Sequence, residues 1–95
     1  MAAYIIANVD VTDPAAYDNY RKQVMATVTK YGGKFLVRGG ALTKLEGDQS
    51  WARVVVLEFS DSAAARKWYD SSEYRPLIKL RQSASRSNLI MVDGV

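Results

Sequence analysis

The sequence predicts an α+β fold, with helices on one face of an antiparallel sheet of four strands. Three observations point there: alternating apolar positions in Tyr4 to Val11, large apolar side chains every three or four residues from Tyr17 to Tyr31, and the order of elements. That order reads strand, helix, strand, strand, helix, strand, the split βαβ arrangement of a ferredoxin-like βαββαβ subunit.

Successive strand residues point to opposite faces, so Tyr4 to Val11 sets Ile5, Ala7, Val9 and Val11 against Tyr4, Ile6, Asn8 and Asp10. One face is apolar and the other mixed. Asp13-Pro14 then starts a helix, because the carboxylate can accept from free first-turn amides and proline there forfeits no needed hydrogen bond. Tyr17, Tyr20, Val24, Val28 and Tyr31 form its apolar stripe, with Asp18, Lys22, Thr29 and Lys30 off it. Gly32 ends it, since the residue beyond a helix commonly takes positive φ.

Phe35 to Arg38 is a second strand, bracketed by Gly32-Gly33 and Gly39-Gly40. Ala41 to Glu46 continues it or forms an edge segment, and Gly47-Asp48-Gln49-Ser50 has turn chemistry. Arg53 to Phe59 is the strongest strand; its Val54-Val55-Val56-Leu57 centre is apolar on both faces and needs cover on both. Ser60-Asp61-Ser62 offers caps for a helix carrying Ala64, Ala65, Trp68 and Tyr69, interrupted at Asp70-Ser71-Ser72. A further helical segment starts near Ser72, tolerates Pro76 in its first turn, and buries Leu77 and Leu80 before Ser83 to Ser87 weakens the pattern. Asn88 to Val92 is the last strand, closed by Asp93-Gly94.

A chain of 95 residues makes one small domain, expected to span residues 1–95 and to bury roughly 60–65% of its unfolded surface. With the helices on one side, the open sheet face calls for a second subunit, and a homodimer through that face is expected.

The chain contains no histidine and no cysteine. This removes disulfides, thiolate nucleophiles, histidine-ligated haem and imidazole bases, and no acidic cluster has metal-ligand spacing. No cofactor and no metal are expected. The formal charge of +3 is scattered, without the basic stripe that nucleic acid requires. No apolar run is long enough to span a membrane and the start lacks signal-peptide character, so the expected compartment is the cytoplasm.

These residues resemble the family called domain of unknown function 1330, within the dimeric α/β-barrel superfamily. The resemblance runs almost end to end. It is carried by Asp13-Pro14 with Tyr17 and Tyr20, Gly32-Gly33, Phe35, Arg38-Gly39-Gly40, Glu46-Gly47, Val54 to Phe59, Ala65, Trp68-Tyr69, Ser71 with Tyr74, and Arg81. It implies a ferredoxin-like subunit pairing sheet to sheet into a dimeric barrel, and no particular reaction. Looser similarity reaches cofactor-independent monooxygenases, muconolactone isomerases and haem-degrading enzymes, of which the histidine-dependent ones are poor models.

Arg38 is the leading site candidate. Its guanidinium can grip a carboxylate or phosphate beside glycines that allow close approach, or it can form an ion pair with Glu46 or Glu58. Arg53 and Arg81 are further anion partners, with surface or dimer salt bridges as the alternative. Asn8, with a tyrosine, is a candidate to orient a reacting oxygen, and Asp10 or Glu58 to move a proton. Among the aromatics, Tyr69 and Tyr74 suit a pocket, whereas the helical stripe assigns Tyr20 and Trp68 to the core. Two functional readings follow: a dimeric module binding a small anionic or aromatic metabolite, or a cofactor-independent monooxygenase or isomerase acting on an enolisable or aromatic acid. No recognisable catalytic set decides between them.

Overall fold

The computed structural model describes residues 1–95. Its elements are β1 (Ala3–Val11), α1 (Pro14–Lys30), β2 (Lys34–Arg38), β3 (Arg53–Phe59), α2 (Ser62–Tyr69), α3 (Arg75–Ala84) and β4 (Ser85–Asp93). The strands form one sheet in the order β2-β3-β1-β4, with every neighbouring pair antiparallel. This is the expected α+β, ferredoxin-like arrangement.

The expected caps form. Asp13 accepts from the Ala16 amide at 3.2 Å and Asp61 from the Ala64 amide at 2.7 Å. Gly32 sits beyond α1 with φ +79°. Ile5, Ala7 and Val9 of β1 pack with Tyr17, Tyr20, Val24 and Val28 of α1, and Trp68 and Leu77 close the same core.

The opposite sheet face carries Ile6, Val54, Val56, Ile90 and Val92, which the strand registers align. No helix covers it, and Ile90 is 58% exposed. An ion pair of 3.2 Å between Lys34 and Glu58 lies on this face near its edge.

Three details depart from the sequence pattern. Residues 41–46 form no strand, and Leu45 is 88% exposed. The reason lies in the pairing: Arg38 sits opposite Val55 and the Gly39 amide donates to the Val54 carbonyl, so β3 has almost run out of partners. The last strand begins at Ser85, not Asn88, because β1 provides a template paired from Val11↔Ser85 to Ala3↔Asp93. Finally, β2 is bulged at Leu36. Phe35 pairs with Leu57, yet Val37 pairs with Val56, so the alternation slips by one residue. Arg38 thereby joins Phe35 on the helix-covered face.

Candidate functional site

Between α1, the α2–α3 segment and the sheet lies a narrow cavity lined by sixteen residues, twelve of them hydrophobic. The other four are all arginines: Arg21, Arg38, Arg53 and Arg81. Its free volume of about 40 Å³ holds a few waters, so a metabolite would have to displace part of the wall. Arg21, Arg38 and Arg53 retain solvent exposure and mark the mouth, whereas Arg81 is 4% exposed and belongs to the floor.

At the mouth, the Arg38 guanidinium lies 4.5 Å from the centre of the Phe35 ring and donates to the Arg21 carbonyl at 2.9 Å. It pairs with neither Glu46 nor Glu58, the latter being engaged by Lys34. The Arg53 guanidinium stands 5.7 Å from the centre of the Tyr17 ring and reaches the Arg38 carbonyl at 3.4 Å. Its Nε is buried without a hydrogen-bond partner. Gly39 makes room for this side chain: a Cβ there would overlap the Arg53 guanidinium.

On the floor, Arg81 donates from Nη1 to the Tyr74 hydroxyl at 2.7 Å and from Nε to Ser87 Oγ at 3.2 Å. Tyr74 and Tyr20 hydroxyls are 2.8 Å apart. None of the ion pairs includes Arg81, so a buried cation is met only by neutral oxygens. Buried charges are ordinarily paired, because desolvation otherwise costs several kcal/mol. Burial pushes the Tyr20 phenol far above its ordinary range. Burial also raises Tyr74, against the opposing pull of Arg81. Both are therefore neutral hydroxyls at physiological pH.

Local contacts fix this floor. Ser71 Oγ donates to the Trp68 carbonyl at 2.7 Å and accepts from the Tyr74 amide at 3.1 Å, which turns the chain between α2 and α3. Trp68 stacks on Tyr74 with centroids 4.0 Å apart, and its indole N–H donates to Thr27 Oγ1 at 3.0 Å.

The structure thus gathers Arg38, Arg53, Arg81 and Tyr74 around one cavity and leaves the other candidates elsewhere. Asn8 is on the open face, where its amide donates to the Ser50 carbonyl at 2.8 Å and accepts from the Ala52 amide at 3.1 Å. It ties down the segment entering β3. Asp10 is exposed opposite Arg86, and Glu58 is on the open face beside Lys34. The expected grouping of Asn8, Asp10 or Glu58 with Arg38 is not made within one subunit, because the sheet lies between them. Tyr69 is half-buried over a separate depression with Ala65, Leu89 and Met91. Tyr20 and Trp68 are core residues, as their stripe positions indicate, and also line the cavity. Arg21 was not singled out by the sequence, although its place four residues after Tyr17 sets it beside the stripe. No group of three or more acidic, histidine or cysteine side chains could hold a metal ion.

The fold and this cavity define a ferredoxin-like α+β protein with an arginine-lined space beneath its helices. The chain belongs to the family named domain of unknown function DUF1330, whose model matches residues 2–95. No protein of curated function matches it. A protein of unknown function from Rhodopseudomonas palustris is similar, with TM-score 0.81 and 23% identity over 99% of this chain and 82% of that one. A dimeric ferredoxin-like protein of unknown function from Jannaschia sp. CCS1 superposes with TM-score 0.72 at 14% identity, over 99% of this chain and 100% of that one. SnoaB, a cofactor-independent oxygenase from Streptomyces nogalater, gives TM-score 0.67 at 14% identity, over 99% of this chain and 93% of that one. At these identities the likeness concerns the fold.

Proposed function

We propose that residues 1–95 act as a single ligand-binding unit whose helix–sheet cavity takes a small aromatic or apolar molecule carrying an acid group. One observation carries this reading: every charged side chain lining the cavity is an arginine, and no carboxylate offsets them. An apolar wall with a few convergent polar groups is the usual make-up of a small-molecule site. Arg38 and Arg53 at the mouth are the anion anchors, and the unpartnered Nε of Arg53 is a donor in want of an acceptor. Ligand entry displaces Arg21 and Arg38, which line the mouth.

The test is a thermal-shift and calorimetric screen of benzoate-type acids and their amides. Acids are expected to stabilise the wild type more than the amides do, and Arg38→Ala or Arg53→Ala to weaken binding by about tenfold or more, as befits a charge-assisted hydrogen bond. Equal binding of acids and amides would sink the proposal.

The molecule is proposed to work as a cytoplasmic homodimer, with the apolar face of Ile6, Val54, Val56, Ile90 and Val92 covered by a second copy. Its dimeric structural neighbour from Jannaschia supports the pairing of two copies.

A second reading, a cofactor-independent oxygenase, is favoured over an isomerase by the absence of any carboxylate lining the cavity. Proton shuttling between substrate carbons ordinarily needs a protein base. An oxygenase whose substrate supplies the electrons needs instead an environment that stabilises ionised substrate, and this wall of donors provides one.

A further inference from the structure

The floor of the cavity differs from its mouth. Tyr74 and Tyr20 have two hydroxyl hydrogens between them, and one hydrogen bond joins the two oxygens. Whichever tyrosine donates in that bond, the other hydroxyl hydrogen has no acceptor within the triad. Behind the pair stands the Arg81 guanidinium, donating an N–H hydrogen bond to the Tyr74 oxygen and lacking any carboxylate partner. Donation from a cation polarises a chain of hydroxyls, so the free hydrogen at its end is a stronger donor than an ordinary phenol.

We propose that the Arg81–Tyr74–Tyr20 chain is a second anion subsite, which holds the ionised hydroxyl of a phenol or enol whose acid group sits at the arginine mouth. This rests on the reading of the cavity as an acid-binding site and narrows the ligand class to hydroxylated aromatic or enolisable acids. The charged groups facing the ligand are the three mouth arginines and Arg81; Tyr17, Tyr20 and Tyr74 complete the titratable lining. Every one of these charges is positive, so all favour the ionised ligand. Its proton leaves to solvent on binding.

A chromogenic probe, 4-hydroxy-3-nitrobenzoate, tests this. Its phenolate absorbs in the visible, so its ionisation can be titrated against pH while bound to saturating protein. The expected result is a phenol midpoint lowered by about one pH unit or more relative to free probe, as for a group beside an unpaired cation. Tyr20→Phe is expected to bring the midpoint back towards the free value and to weaken binding of the probe more than binding of 3-nitrobenzoate, which lacks the hydroxyl. A second comparison needs only the wild type: the O-methyl ether of the probe is expected to bind about tenfold more weakly than the ionised phenol. Bound probe titrating as it does in water, or ether and phenolate binding alike, would overturn the subsite and leave the acid-binding reading intact. Binding of neither the probe nor 3-nitrobenzoate would remove both.

Discussion

The guanidinium of Arg53 occupies the space into which a side chain at Gly39 would project. Gly39 itself has φ +69°, a conformation that costs an L-residue about 1–2 kcal/mol. Both effects act against Gly39→Ala, which is expected to destabilise the protein by about 1–3 kcal/mol and lower its thermal midpoint by at least roughly 4 °C. Its neighbour Gly40 meets nothing within 4 Å, so Gly40→Ala should change stability by less than about 0.5 kcal/mol. Equal effects at the two positions in calorimetry would contradict this assignment.

Gly33 has a different role. A Cβ there would come within 2.6 Å of the Phe59 ring and 2.9 Å of Val28, both in the core. Gly33→Ala should therefore cost about 1–3 kcal/mol through overpacking alone. Combining it with Phe59→Leu, which opens space, should give a double variant more stable than the sum of the single effects predicts.

The Tyr74 hydroxyl meets two partners, Arg81 and Tyr20, and the Tyr20 hydroxyl meets one. Tyr74→Phe leaves the Arg81 N–H and the Tyr20 hydroxyl without their shared oxygen, and should destabilise by about 1–3 kcal/mol. Tyr20→Phe removes a single neutral bond and should cost about 0.5–1.5 kcal/mol. Denaturant melts that rank the two in the opposite order would break the network as described.

Glu73 joins Lys30 and Tyr31 at the end of α1 to the turn before α3, with the Tyr31 hydroxyl donating at 2.7 Å. The hydrogen bonds from Lys30 and Tyr31 hold the pKa of its carboxyl down at about 2, below the ordinary value of 4.5. Because the folded value is the lower one, the stabilisation is complete above about pH 4.5 and disappears as pH falls towards 2. Glu73→Gln should flatten the fall in thermal midpoint across that window; an unchanged acid limb would assign it to other carboxylates.

Ile90 stands at 58% exposure on the open face, opposite Ile6 in the register. Ile90→Glu puts a charge amid apolar side chains that a second copy is proposed to cover, and is expected to convert a dimer into a monomer of 10.6 kDa in sedimentation experiments. A wild type that already sediments as a monomer at micromolar concentration would end the dimer proposal.

Local chemistry made much of this molecule legible from its residues. The Asp13 and Asp61 caps, the Gly32 stop, the α1 stripe and Arg53 to Phe59 all depend on spacing within a few positions, where side-chain period and backbone preference act directly. The alternation in β1 likewise separated Ile5 and Val9 from Asn8 and Asp10. Arg38 was different. Strict alternation from Phe35 would have turned it away from the core face, and the bulge at Leu36, set by pairing with β3, turned it towards the helices. Residues 41–46 have strand-like composition and form no strand, since composition cannot supply a partner edge. Sequence alone determined the order of the main elements and the poverty of conventional catalytic groups. Tertiary structure decided that four arginines distant in the chain share one cavity without a carboxylate, because that depends on register, bulge and helix packing.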